Sequence, residues 1–276
     1  MLQDSAYAQL LNLIAARGQQ WLRNRIELMA SGPESMDRLA DVAIAAHVCT
    51  GLRGAETPLR TFLRSRISDD EFDNLLGRYQ NNKLNFANFG DVAFVAASDG
   101  FCSSTLASDV QTTAVAPAMT GKPKALLPEQ AEAFLRQPIP DDRLDEGMID
   151  TYATVLSLAY RFGAERPRFA SARSYGDAFA NCLRLADWAQ RKGKLLPLVQ
   201  MIFCLCLIDP DHDVREMLAD VISSQRPDGS FPTRIGFGTA DQEDEALRPT
   251  LATVVALHMA IHRCWRTPRP NLRLAA

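Results

Sequence analysis

The sequence predicts an all-α fold in which helices pack in pairs, and three observations support this prediction. Apolar residues recur at helical spacing along most of the 276 residues, whereas stretches that alternate polar and apolar residues are scarce. Turn formers, such as Ser-Gly-Pro at 31–33 and Pro-Asp-Gly at 227–229, separate the periodic stretches. Some helices are apolar nearly all round and others are amphipathic, which indicates an inner and an outer layer.

The first half of the chain is divided by recognisable start and stop signals. The turn at 31–33 ends the first helix, Ser35 starts the second, and Gly51 ends it. Thr57 with Pro58 starts the third helix, and Ser68 precedes the acidic first turn of the fourth. We therefore expect helices near residues 4–29, 36–51, 57–66 and 69–80, and periodicity adds 87–98 and 102–115.

The second half carries similar signals. Two proline-containing turns, at 121–123 and 138–140, bracket a short helix, and Gly163 and Gly193 end later ones. Acidic residues at 211–213 mark a further start. The predicted helices are 128–136, 146–162, 174–191, 195–208, 212–224 and 249–265.

Four helices are rich in small and apolar residues: 39–51, 149–163, 195–209 and 250–263. A helix that is apolar nearly all round must be covered on both sides, so we expect these four in the inner layer. Their unequal spacing favours degenerate helical hairpins over a strict solenoid.

The chain is expected to form a single domain over residues 1–276, because no tract has the composition of a linker. The stretch 100–145 is rich in Ser, Thr, Ala and Pro, and it predicts an irregular excursion or a lid.

Charge and hydropathy exclude several classes of partner. A net charge of −3 gives no long-range attraction to nucleic acid or to an anionic membrane. The N-terminus lacks a basic start followed by an apolar run, and the strongest apolar run, 195–208, is too short to cross a bilayer. We predict a cytoplasmic protein, with six reduced cysteines that lack Cys-x-x-Cys spacing.

The segment Gln225-Arg-Pro-Asp-Gly-Ser-Phe231, followed by a helix with Thr250, resembles the Gln-x-x-Asp-Gly-Ser-aromatic repeat of terpenoid cyclases and protein prenyltransferases. This resemblance covers roughly 50 residues and implies an α/α-toroid of about five or six helix pairs. The known chemistries of these families are not implied. The chain has no Asp-x-Asp-Asp acid, no Asp-x-Cys zinc ligand and no Cys-His dipeptide.

Two imidazoles make the first candidate site. His258 and His262 lie four residues apart, so both point to the same side of the helix. The stripe that they share also contains Leu251, Val254, Val255 and Trp265. The pair is typical of core histidines, and the alternatives are His258 as a catalytic acid or base with His262 in substrate binding. A metal is not predicted, since no third ligand or His-Glu-x-x-His frame accompanies them.

Carboxylates make two further candidates. Asp209 begins an acidic cluster at 209–213 that is able to supply a general acid or to cap the next helix. Asp37 and Asp41 lie at i and i+4 at the entry of a predicted inner helix, where they bind substrate or are simply exposed.

Other candidate substrate-binding residues are Tyr152 and Gln200, polar residues in inner helices, and Arg234 and Arg248, which are suited to a carboxylate or to a solvated face. No cofactor is predicted, because Gly-x-Gly-x-x-Gly and phosphate-loop motifs are missing.

These observations lead to two functional hypotheses. The first is a pocket protein or enzyme of specialised metabolism that handles a mostly apolar small molecule or modified peptide, by proton transfer if it is catalytic. The second is a non-catalytic partner that stabilises or delivers substrate to another biosynthetic protein.

Overall fold

The computed structural model describes residues 2–28, 33–86, 128–160, 163, 167–236 and 243–262. Within these ranges the chain is helical without any β-strand, so the all-α prediction is confirmed. The α-helices are α1 (Leu2–Leu28), α2 (Pro33–Arg53), α3 (Pro58–Arg64), α4 (Asp69–Phe86), α5 (Pro128–Leu135), α6 (Glu146–Ala159), α7 (Ala172–Arg191), α8 (Leu195–Ile208), α9 (Arg215–Ser223) and α10 (Leu247–His262). Two 3-10 turns, Asp141–Arg143 and Glu243–Ala246, complete the set.

Most predicted boundaries lie within three residues of these helices, and those of α8 agree at both ends. The exception is α4, which was predicted to end at residue 80 and continues to Phe86. The predicted helices at 87–98 and 102–115 lie outside the described residues, as does the part of the expected excursion at 100–127. Residues 128–145 contain α5 and the first 3-10 turn. In the part of the chain that the structure describes, no helix has the length and apolar character needed to span a membrane.

Local capping explains where several helices begin. The carboxylate of Asp145 accepts a hydrogen bond from the Met148 amide at the start of α6, and Ser171 accepts one from Ser174 at the start of α7. Thr57 caps α3, as predicted from Thr57 and Pro58.

Helices of the two expected kinds are present. In α8 every residue except Leu196 and Gln200 is buried, so this helix is covered on nearly all sides. In α7 the buried residues form one face, from Ser174 to Ala189, and the opposite face is exposed. The four helices predicted to be inner correspond to α2, α6, α8 and α10.

The inner helices form a continuous row, since α6 packs on α8, α8 on α10 and α10 on α2. The other helices flank this row. Helices α7 and α9 pack on α8, α1 packs on α10, and α3 and α4 pack on α2. The last described helix, α10, therefore contacts both helices of the first pair.

The inner helices run in the same direction. Gly163, just after α6, lies against Met259 near the end of α10 and against Phe203 and Leu207 in the second half of α8. Arg53, the last residue of α2, lies close enough to His258 and His262 to lower the pKa of both. The C-terminal ends of all four helices thus lie at one end of the molecule.

The segment 225–231 connects the last helix pair to the first helix. The side-chain amide of Gln225 donates to the Ile14 carbonyl of α1 at 2.9 Å, and the Arg17 guanidinium donates to the Pro227 carbonyl at 2.8 Å. Phe231 is fully buried, and its amide donates to the Thr250 hydroxyl of α10 at 2.9 Å. The turn therefore holds α1 and α10 together.

Gly229 is essential to this connection for two reasons. Its φ of +97° lies in the left-handed region, which glycine adopts without strain. A Cβ at this position would lie 2.6 Å from the Arg17 carbonyl oxygen, so the turn can approach α1 only without a side chain.

Candidate functional site

A cavity of about 150 Å³ lies between the four inner helices. Each helix contributes one face to its wall. The lining residues are Asp41, Ile44, Ala45 and Val48 of α2; Ala153, Thr154 and Ser157 of α6; Leu196, Val199, Gln200 and Phe203 of α8; and Arg248, Leu251, Ala252 and Val255 of α10.

The spacing of these residues is the same on each helix. In α2, α8 and α10 they lie at i, i+3, i+4 and i+7, and in α6 they follow the last three positions of that pattern. Such spacing defines a single helical face. The two residues of α8 that are not fully buried, Leu196 and Gln200, both belong to it.

Small side chains create the space between the four inner helices. Ala45, Ala153 and Ala252 each end at Cβ, and they face the cavity from three different helices. The remaining wall is mostly aliphatic, with the Phe203 ring near one end. An apolar interior of this kind favours the apolar part of a ligand.

The wall of the cavity also contains polar side chains, some in its middle and some at one end. The amide of Gln200 donates to the Asp150 carboxylate at 2.8 Å, which joins α8 to α6. The Thr154 and Ser157 hydroxyls belong to α6. Half-buried Asp41 and exposed Arg248 lie toward the N-terminal ends of α2 and α10, so the charged groups mark one end of the cavity.

Comparison of the chain with protein-family models, with curated proteins and with solved structures finds no match. The function must therefore be inferred from the geometry.

Among the predicted site residues, Gln200, Asp41 and Arg248 are brought together at the cavity. The side chain of Asp37 lies outside the described residues, although its backbone belongs to α2.

His258 faces α1 and is not among the residues that line the cavity. It is buried, and its Nε2 lies 2.8 Å from the side-chain nitrogen of Gln19. Because an amide nitrogen donates, the neutral imidazole accepts at Nε2. Val254, one turn earlier, lies against Gly18 of α1. The face that carries Val254 and His258 is therefore the contact between α10 and α1.

Burial, and to a smaller extent the neighbouring His262 and Arg53, together lower the pKa of His258 to about 4. His262 is half-buried, and burial and Arg53 also lower its pKa. The two rings stack with centroids 5.5 Å apart. Both imidazoles are thus neutral at physiological pH. Separately, within the described chain no group of three His, Cys, Asp or Glu side chains is arranged to hold a metal ion.

The Asp209 carboxylate accepts two hydrogen bonds. One carboxylate oxygen accepts from the Tyr175 hydroxyl at 3.0 Å, and the other accepts from the Asp211 amide at 2.9 Å. Asp213 accepts from the Arg215 amide, the first residue of α9. The acidic cluster therefore organises the turn before α9, and Asp213 bonds the first amide of the helix. The N-cap residue itself is Val214, which provides no side-chain cap.

Tyr152 lies in the core, away from the cavity. Its hydroxyl lies 2.9 Å from the Leu135 carbonyl oxygen and 2.8 Å from that of Ala178, so its proton links α6 to α5 or α7. Arg234 is exposed and forms a β-bridge with Lys194 at the start of α8. Neither residue lines the cavity.

The sequence interpretation missed Thr154, Ser157 and Phe203. Ser157 lies three residues after Thr154, and Phe203 lies seven after Leu196, spacings that are visible in the sequence. Which face of an apolar helix meets a cavity depends on the neighbouring helices, however, and the sequence does not give their order.

Proposed function

We propose that the protein binds the apolar part of a small molecule, or one apolar side chain of a modified peptide, in the cavity between α2, α6, α8 and α10. The observation that carries this proposal is the shared lining pattern, in which four parallel helices each turn one face toward the same space. Ligand sites are mostly apolar with a few polar groups that fix orientation, and this cavity has that composition.

The volume limits the size of the bound group. A cavity of about 150 Å³ in another protein accommodates benzene, whereas pockets for drug-sized ligands usually exceed about 300 Å³. The buried group therefore has about six to ten non-hydrogen atoms. A larger molecule or a peptide would insert only one such group and leave the rest outside.

The charged end of the cavity orients the ligand. Arg248 is exposed at the cavity and has no ion-pair or hydrogen-bond partner among the described residues, so its guanidinium is available to a polar group of the ligand. Asp41 is the carboxylate that lines the cavity. If the protein is an enzyme, Asp41 is the group placed to exchange a proton with the bound molecule.

The α/α-toroid is part of the same proposal. Three features support it: the common direction of the inner helices, the cavity that they surround, and the contact of α10 with both α1 and α2. Consecutive antiparallel hairpins give parallel inner helices, and contact between the first and the last pair is what a closed ring requires. The turn at 225–231 secures that contact.

A binding experiment tests the proposed site. Toluene is a suitable probe because it matches the volume and lacks polar groups. We expect it to bind the wild-type protein, and Ala252→Leu to weaken binding at least about tenfold because the larger side chain fills the cavity.

Ala260→Leu is the matched control, since Ala260 is half-buried on the same helix but does not line the cavity. It should bind toluene as the wild type does. Equal affinities for wild type and Ala252→Leu would refute the cavity as the binding site.

The alternative function, a non-catalytic partner of another protein, has one feature in its favour. Leu10 and Leu13 are exposed on α1, at 40% and 59%, and lie three residues apart. Loss of a co-purifying protein in a Leu10→Gln, Leu13→Gln double variant would favour this role, whereas toluene binding blocked by Ala252→Leu favours the first.

A further inference from the structure

Two hydroxyl groups interrupt the apolar wall of the central cavity on the side of α6. They belong to Thr154 and Ser157, which lie three residues apart and so share one face of the helix. The wall around them is formed mainly by small and aliphatic side chains and by the Phe203 ring. A hydroxyl in such surroundings loses free energy unless it forms a hydrogen bond.

The Thr154 hydroxyl lacks such a bond. Thr154 is only 7% exposed, and its hydroxyl has no hydrogen-bond partner within the described part of the chain. A threonine in a helix often donates to the carbonyl one turn earlier, as Thr61 does to Thr57 at 3.3 Å, but Thr154 does not. Thr253 of α10 also lacks a partner, yet its oxygen is sealed inside the protein, whereas the Thr154 oxygen is not. The Thr154 hydroxyl is therefore open to a molecule in the cavity.

The N-terminal end of the cavity carries a positive charge that nothing in the described chain neutralises. Arg248 is exposed there and forms no ion pair or hydrogen bond with the described residues. Asp41, the other charged residue of the lining, already interacts with another group of the protein. The charge left over at this end is thus the guanidinium, whose fork of N–H groups matches a carboxylate.

The unpaired charge and the unpaired hydroxyl lie at different depths. Arg248 is the first lining residue of α10 and Val255 is the last, and seven residues of a helix rise about 10 Å. The cavity is therefore elongated along the helices. A ligand that satisfies both groups has an acidic group at one end, a polar group further inside and an apolar body between them.

We propose that the ligand of this cavity is a phenolic carboxylic acid, an inference that rests on the binding function proposed above. The carboxylate pairs with Arg248, the ring occupies the apolar space, and the phenolic hydroxyl forms a hydrogen bond with Thr154. A benzene-sized ring fits a cavity of about 150 Å³. Its rigidity holds the two polar groups apart without ordering a flexible chain.

Calorimetric titration at neutral pH with four compounds tests the proposal: para-hydroxybenzoate, benzoate, para-cresol and toluene. At this pH the carboxylate is ionised and the phenol is neutral. We expect para-hydroxybenzoate to bind at least about threefold more tightly than benzoate, which lacks the hydroxyl, and than para-cresol, which lacks the carboxylate.

Two variants assign the polar contacts. Thr154→Val should weaken the binding of para-hydroxybenzoate and para-cresol about threefold to tenfold and leave benzoate and toluene unchanged. Arg248→Gln should weaken para-hydroxybenzoate and benzoate about threefold and leave the two uncharged compounds unchanged. Thr253→Val is the matched control, because its unpartnered hydroxyl is buried outside the lining of the cavity. It should bind all four compounds as the wild type does.

Toluene separates this proposal from the one on which it rests. Failure of the wild type to bind any of the four compounds would contradict the cavity as a binding site and both proposals with it. The phenolic acid alone is overturned if toluene binds but para-hydroxybenzoate is no tighter than its two partial analogues. It is also overturned if Thr154→Val and Thr253→Val have the same effect.

Discussion

The two sides of α10 show how differently one apolar helix is used. Leu251, Ala252 and Val255 face a cavity, whereas Val254 and His258 pack directly on α1 at Gly18 and Gln19. The packed side carries His258, the polar residue that stands out in the sequence, whereas the cavity lies on the other side. A polar residue in an apolar helix therefore does not by itself mark a binding site, because its hydrogen bond is able to serve the contact with a neighbouring helix, as that of His258 does with Gln19.

We expect the largest loss of stability from a change in the turn at 225–231, which holds the packed side of α10 against α1. Gly229→Ala should destabilise the protein by about 3 kcal/mol or more, since the new Cβ meets the Arg17 carbonyl at a positive φ. Chemical denaturation measures the change in the free energy of unfolding.

Gly176→Ala provides the control. Gly176 lies within α7, and a Cβ there meets nothing within 4 Å. This variant should be stabilised by about 0.5–1 kcal/mol. If both variants behave alike, the turn does not hold α1 against α10.

The pH dependence of stability comes next in size and concerns the same packed side. The pKa of His258 is about 4 in the folded protein, below its ordinary value of 6.5. The unfolded chain therefore binds a proton between these values while the folded protein does not. The stabilising contribution is complete above pH 6.5, and about 3 kcal/mol is lost as the pH falls to about 4.

His258→Gln removes the titrating group. Denaturation midpoints measured from pH 7 to pH 4 should fall less steeply in the variant than in the wild type. The wild type also contains carboxylates that titrate in this range, so the difference between the two slopes is the relevant quantity. Parallel slopes would contradict the buried, neutral His258.

Substitutions of two alanines on α10, one on each side of the helix, are expected to have smaller and opposite effects on stability. Ala256 is buried at 1% exposure and does not line the cavity, so Ala256→Leu should overpack the core and destabilise by about 1–3 kcal/mol. Ala252→Leu extends into the cavity and should stabilise by about 1 kcal/mol. Equal destabilisation of both variants would mean that the cavity side is packed as tightly as the other.

Much of the architecture was predictable from local signals. The bounds of α8 followed from apolar content and from the turn at Gly193, and the cap at Thr57 followed from hydroxyl and proline preferences. The division into apolar and amphipathic helices predicted which helices lie inside. These properties depend on residues that are near one another in the chain.

The site was less predictable, because it depends on which helices are neighbours. Leu251, Val255, His258 and His262 do lie along one stripe of a helical wheel. In the structure Leu251 and Val255 line the cavity, His258 contacts α1, and His262 lies near Arg53 of α2. A helix with partners on several sides divides a single stripe among them. Gln200 was identified as a polar residue on an inner helix and Arg248 as a group suited to a carboxylate, whereas their association with Asp41 required the packing of α8, α10 and α2.

The most direct test of the account uses adjacent valines of α10 in the presence of bound toluene. Nuclear Overhauser effects between toluene and the labelled methyl groups of the protein report which side chains lie within about 5 Å of the ligand. We expect contacts with Leu251 and Val255, which line the cavity, and none with Val254, which packs on Gly18. Contacts with Val254 and not with Val255, or none with either residue while toluene is bound, would contradict a hollow between the inner helices.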